Sequence, residues 1–174
     1  MNPDRTLHIQ TLLLTRVALR REFRLDPRSA LFHEGVTEEE FRELPAWNPD
    51  ELEAQAHTLV EKRWHEVQQL LFSTLSDGGA RYRECFGEYA PTNWPEGHQR
   101  HLIDAVRFAD HLSRNGNQRD LGWRVNLLRF RLERSRFRVH WVRSLPVCSR
   151  WSCGVQVLYR RSNEPRQILL YLAV

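Results

Sequence analysis

The sequence predicts a mainly α protein, a helical bundle followed by a small C-terminal antiparallel β-sheet, and so an α+β chain. Apolar residues recur at helical spacing along the first three quarters of the chain. They do so most clearly at Leu52, Ala56, Leu59, Val60, Trp64, Val67, Leu70 and Leu71, which share one arc. Helix-start signals stand at Thr37 and Asn48. From residue 135 the period drops to two: Phe137, Val139 and Trp141 alternate with Arg136, Arg138 and His140. The boundary this implies puts a helical bundle at 1–134 and a β-rich tail at 135–174, packed on the last helix. A chain of 174 residues favours one domain with a core of its own.

Taken in order, residues 5–22 read as a first helix, and Asp26-Pro27 as a turn. Thr37 to Glu40 has the capping-box form and starts a short helix that ends before Pro45. Asn48-Pro49-Asp50-Glu51 combines a cap, a proline at the first helical position and acids in the first turn. The helix it opens runs to about Thr74, with His57 and His65 off its apolar stripe. Arg63 stands inside that stripe, where a cation must reach solvent or find a carboxylate. Asp77-Gly78-Gly79 interrupts the chain, and a helix through Tyr82, Phe86 and Tyr89 precedes Pro91. The next helix, His98 to Leu112, has Leu102, Ala105, Val106, Phe108, Ala109 and Leu112 toward the core. Arg100, Asp104, Arg107 and His111 are expected opposite, and Asn115-Gly116 as its end.

Asn117 caps a further helix to about Arg134 that carries two apolar stripes: Leu121, Val125, Leu128 and Leu132 on one side, Trp123, Leu127 and Phe130 on the other. Such a helix lies between two layers, and the apolar alternation of the tail supplies the second. Trp151, Cys153, Val155, Val157 and Tyr159 form the inward row of the second strand in this reading, and Ile168 to Val174 the third strand.

The charge is uneven. The total is +4, but residues 119–174 hold twelve arginines against Asp120, Glu133 and Glu164, a local balance of +9. The first 118 residues carry −5. Such asymmetry points the C-terminal third at an anionic partner, an acidic polypeptide or a nucleic acid. Arg136, Arg138, Trp141, Arg143, Arg150, Arg160 and Arg161 are the candidate contact residues. The sheet can accept an extended acidic peptide along an edge. The arginines can equally clamp phosphates. The helices 98–112 and 119–134 have helix-turn-helix spacing, but the arginines of the second, among them Arg124, Arg129 and Arg131, divide between two edges rather than forming one basic face.

Motifs for chemistry are sparse. Cys85 lies on a helix with no glycine-rich elbow, and Ser76-Asp77 with His65 makes only a loose triad. Cys148 and Cys153, with His140, give one loose pair where a structural zinc site uses four ligands in tight pairs; His98, His101 and Asp104 could present ligands from a helix edge. No phosphate loop, dinucleotide fingerprint or HExxH is present. The expectation is therefore a non-enzyme with no catalytic residue, metal or cofactor of its own. No apolar run approaches the roughly 20 residues of a membrane span. The apolar stretch Ile9–Leu14 runs straight into Arg16, Arg20 and Arg21 without a cleavage site, as in a folded helix and not a signal peptide. Three cysteines suit a reducing compartment, so the cytoplasm is expected.

Residues 80–90, ARYRECFGEYA, and 97–112, GHQRHLIDAVRFADHL, resemble a bacterial family named for a DNA-binding domain, whose members accompany multinuclear non-haem iron oxidative enzymes. Those pairs modify ribosomally made peptides, as in methanobactin-type biosynthesis. The shared pattern is a helical Phe-x-x-Tyr, a Pro/Gly loop, an Asp-Ala-x-x-Phe helix, a further helix and a β tail, over about residues 50–145. The resemblance implies a partner protein that docks on the iron enzyme and helps present an acidic precursor peptide, the iron being held by the partner. Phe86, Tyr89, Asp104, Ala105 and Phe108 would then be structural. The chain departs from the pattern where Arg131 follows Phe130 in place of an acid, and its tail after Trp141 is short. A DNA-binding regulator that uses the arginine-rich third is the alternative.

Overall fold

The computed structural model describes residues 3–72, 79–115, 121–147 and 150–171. Eight α-helices among these residues precede a three-stranded antiparallel sheet, the α+β arrangement read from the sequence. The chain forms two compact units, Met1–Lys62 with Gly87–Trp94, and Arg63–Phe86 with Pro95–Val174. The sheet thus shares its unit with the helices next to it in sequence.

The first unit holds α1 (Pro3–Thr15), α2 (Val17–Leu25), α3 (Pro27–His33), α4 (Glu38–Glu43) and the first half of α5 (Pro49–Phe72). The single helix expected over 5–22 is two helices, broken at extended Arg16 (φ −108°, ψ 106°). The hydroxyls of Thr11 and Thr15 donate to the carbonyls four residues back, a habit that loosens helices. Arg20 then supplies donors to the carbonyls left at the end of α1, Leu13 O at 3.1 Å and Leu14 O at 2.9 Å. Asp26-Pro27 is a helix start and not a bare turn. Asp26 Oδ1 accepts the backbone N–H groups of Arg28 and Ser29, each at 3.1 Å, and Pro27 opens α3. The box at α4 closes in both directions: Glu40 N–H donates to Thr37 Oγ1 at 3.2 Å and Thr37 N–H to Glu40 Oε2 at 2.9 Å. Asn48 caps α5 through Asp50 N–H at 2.9 Å. The core of this unit is Ile9, Leu13, Leu19, Phe23, Ala30, Leu31, Val36 and Leu52.

The second unit is built on aromatic rings. From the second half of α5, Trp64 packs on Phe72, on Phe86 of α6 (Gly79–Tyr89) and edge-on against Phe108 of α7 (Arg100–Arg114), with centroids 5.6–6.3 Å apart. Phe86 and Phe108 meet as a T at 5.1 Å. Such pairs add about 0.5–1.5 kcal/mol each beyond the area they bury. Arg63 finds its carboxylate here. Its Nε and Nη2 donate to Asp104 Oδ2 and Oδ1, both at 2.9 Å, while its guanidinium lies 5.5 Å from the Phe86 ring centre. Asp104 is 2% exposed, so the expected place for it on the polar side of α7 is wrong. It lies four residues before Phe108 and next to Ala105, and both face the core.

The last helix, α8 (Gly122–Leu132), packs between α7 and the sheet, and touches all three strands. The strands are β1 (Phe137–Val147), β2 (Arg150–Arg161) and β3 (Glu164–Tyr171), in the order β1-β2-β3. Ser162 (φ 51°) and Asn163 (φ 68°) make the two-residue turn between β2 and β3. A register shift between Val142 and Leu145 marks a bulge in β1. Gly116, Asn117, Ser76, Asp77 and Cys148 lie outside the described residues.

Candidate docking face

The strand register decides which side chains share a face. Phe137 pairs with Tyr159 and Tyr159 with Arg166; Val139 with Val157 and Val157 with Ile168; Trp141 with Val155 and Val155 with Leu170. These three rows form one side of the sheet. The rows between them, Arg138–Leu158–Gln167, His140–Gln156–Leu169 and Val142–Gly154–Tyr171, form the other.

Burial distinguishes the two sides most clearly at their apolar positions, although Arg138, Gln167 and Tyr171 at the margins of the α8 side are exposed as well. Leu158 and Gln156 are 0% exposed and Val142 4%, whereas Phe137 is 60%, Val139 53%, Trp141 58%, Ile168 47% and Leu170 54% exposed. The apolar alternation was expected to turn toward α8, and it turns away. Cys153, expected inward beside Val155, shares the parity of the open side and is half-buried, with Sγ donating to Arg143 O at 3.3 Å.

Polar side chains explain the inversion. Gln156 reaches α8: its Nε2 donates to Trp123 O at 2.7 Å and to Gln167 Oε1 at 3.1 Å, and Asn126 Nδ2 donates to its Oε1 at 3.2 Å. Arg160 closes the end of the same helix, with Nη2 2.7 Å from Phe130 O and 2.6 Å from Glu133 O, and Nε 3.0 Å from Ser135 O. The last carbonyls of a helix lack partners within it, and a cation there also opposes the helix dipole. Turning the sheet over would carry Gln156 and Arg160 out to solvent and leave their partners on α8, the carbonyls of Trp123, Phe130 and Glu133, without these donors, at about 1–3 kcal/mol for each polar group that stays buried. Leu158 adds about 1.5–3 kcal/mol by full burial on the same side.

The sequence-derived contact residues consequently divide. Trp141 stands on the open side, on the outer strand β1, and Arg136, Arg138, Arg143 and Arg161 are exposed. Arg138 belongs to the α8 side and pairs with Glu133 at 3.3 Å. Arg160 is the cap of α8 and is not available to a partner. Arg150 contributes its backbone to β2, and its side chain lies outside the described residues. Two of the three arginines of α8 are engaged as well: Arg124 is buried over the Trp123 ring, where burial pushes its guanidinium below its ordinary pKa, and Arg129 pairs with Asp110 at 2.6 Å, while Arg131 is exposed. Arg166 was missed by sequence reasoning. It lies on the open side and pairs with Glu164 at 2.7 Å. The β2–β3 pairing is the signal that would have found it.

The remaining candidates for chemistry are scattered. Asp104 is engaged by Arg63, while His98 and His101 are exposed. Among the described residues no three His, Cys, Asp or Glu side chains group as metal ligands, and no helix is long and apolar enough to cross a membrane. Phe86, Tyr89 and Phe108 are all buried.

The site is thus an open apolar side of a three-stranded sheet, with arginines at its ends. No family model, characterised protein or solved structure matches the chain.

Proposed function

We propose that the chain is a non-catalytic partner subunit that docks through the open side of its sheet. The observation that carries this reading is the row set Phe137–Tyr159, Val139–Val157–Ile168 and Trp141–Val155–Leu170, five of whose members are about half or more exposed. An apolar patch of this kind on a folded chain marks an interaction surface. Its aromatic residues, Trp141 at one end and Phe137 and Tyr159 at the other, are types that carry binding energy at interfaces. Guided by the resemblance of residues 80–112, the partner is an iron-dependent peptide-modifying enzyme in the cytoplasm, together with its acidic precursor peptide. The iron belongs to that partner.

Binding of duplex DNA competes with this reading, because Arg136, Arg143 and Arg161 are exposed. The packing of α8 favours docking over groove reading. Its residues Arg124, Val125, Leu128 and Phe130 are buried, so it presents no free basic face.

The test is a tagged pull-down from the native cell, treated with nuclease, followed by mass spectrometry and iron analysis. One stoichiometric iron protein is expected. Recovery of nucleic acid without nuclease and of nothing with it would replace docking by nucleic-acid binding, with affinity falling steeply as salt rises.

A further inference from the structure

We infer that the open side of the sheet receives one amphipathic helix of the partner, apolar along the face it presents and acidic at its ends. The inference rests on the docking reading and deepens it.

Size is the first argument. Three strands about 4.8 Å apart span about 10 Å between the outer two, the width of a single α-helix. From Arg161 to Cys153 the central strand covers eight residue steps, about 26 Å at 3.3 Å each. A helix of about 17 residues has that length. The opposite side of the sheet already holds one helix, α8, and a second one would complete a three-layer sandwich.

Charge is the second argument, and it selects the partner. Arg161 and Arg166 gather at the end of the open side near the β2–β3 turn, with the acid Glu164 beside them. Arg143 stands at the bulge beyond Trp141, at the other end. A second copy of this chain, laid face to face about a two-fold axis, would set arginines against arginines at each end. Like charges facing each other oppose that pairing. Acids at both ends of a foreign helix complement the same arginines. The middle row, Val139, Val157 and Ile168, offers no π-face, so stacked bases would meet aromatic rings only at the two ends of the patch, Phe137 with Tyr159 and Trp141, and not along a continuous platform.

The experiment places a photo-crosslinking amino acid at position 157, the centre of the open side, in the full chain, and irradiates the complex in its native cell. The crosslinked partner segment is then mapped by mass spectrometry. The expected product is one stretch of about 17 residues with apolar positions at i, i+3, i+4 and i+7 and with Asp or Glu at its ends. The Arg161→Glu, Arg166→Glu double variant should bind the same partner about tenfold more weakly at low salt, with less difference at high salt. Arg114→Glu, on the end of α7, serves as the control and leaves binding unchanged. Crosslinks to a second copy, to nucleic acid or to lipid overturn the inference. So does a partner that co-purifies yet never crosslinks at 157, an outcome that leaves docking through another surface standing. Recovery of no partner at all overturns the docking reading with it.

Discussion

Asp104 shows how much one misplaced residue changes. Charged residues on an amphipathic helix are assigned to water by habit, yet its angular position, shared with Ala105 and Phe108, was available in the sequence. What the sequence lacked was the distance to Arg63, forty-one positions earlier. Removing one member of a buried pair leaves the other charged and desolvated, which costs about 3–5 kcal/mol, whereas exchanging both for apolar residues is often close to neutral. Asp104→Ala should therefore destabilise the chain by about that much in urea unfolding, and Arg63→Met with Asp104→Leu by far less. Equal losses in the two would show that the pair is held by something other than mutual charge compensation. Arg160 makes a second test at this scale. With hydrogen bonds to Phe130, Glu133 and Ser135 carbonyls, Arg160→Ala should cost about 2 kcal/mol, and hydrogen exchange should show the last turn of α8 opening first. An unchanged urea midpoint would contradict its role as a cap.

Element boundaries were legible where they rest on local chemistry. The Thr37–Glu40 box and the Asn48-Pro49 start are complete in four residues each, so the sequence is enough to read them. The break at Arg16 depends on Arg20 turning back to two carbonyls, a contact that periodicity does not encode. The capping box also has a pH signature. Foremost the backbone N–H of Thr37, and next the nearby Arg5 cation, hold the Glu40 carboxyl below its ordinary pKa despite some desolvation. A folded-state pKa below the unfolded one gives stability that is present above the unfolded value and is lost as pH falls through the folded one. An NMR titration should find Glu40 ionising below the usual glutamate range and the amide protection of α4 fading as it protonates. Thr37→Ala keeps that backbone N–H and removes only the hydroxyl's share, so it should raise the pKa slightly; a Glu40 that titrates normally in the unaltered protein would contradict the box.

Across the whole molecule, the class, helices first and a small antiparallel sheet last, was readable from hydrophobic period and cap signals, but the side on which the sheet packs was not. An alternating strand offers two faces, and the rule that apolar residues turn inward chose the wrong one. The choice was made by Gln156 and Arg160, whose partners are backbone carbonyls of α8, thirty or so residues away. The face left open is the centre of the functional account. Val139→Asp with Ile168→Asp places charges on that face without touching the core, since both side chains are about half exposed.

The most direct measurement is a quantitative pull-down that compares this double variant with the unaltered chain, at matched circular dichroism and thermal stability. The account predicts that the unaltered chain recovers a stoichiometric protein partner and that the variant loses it by about 30-fold or more, the scale of an interface hot spot. Equal recovery by both would contradict docking through the open side of the sheet.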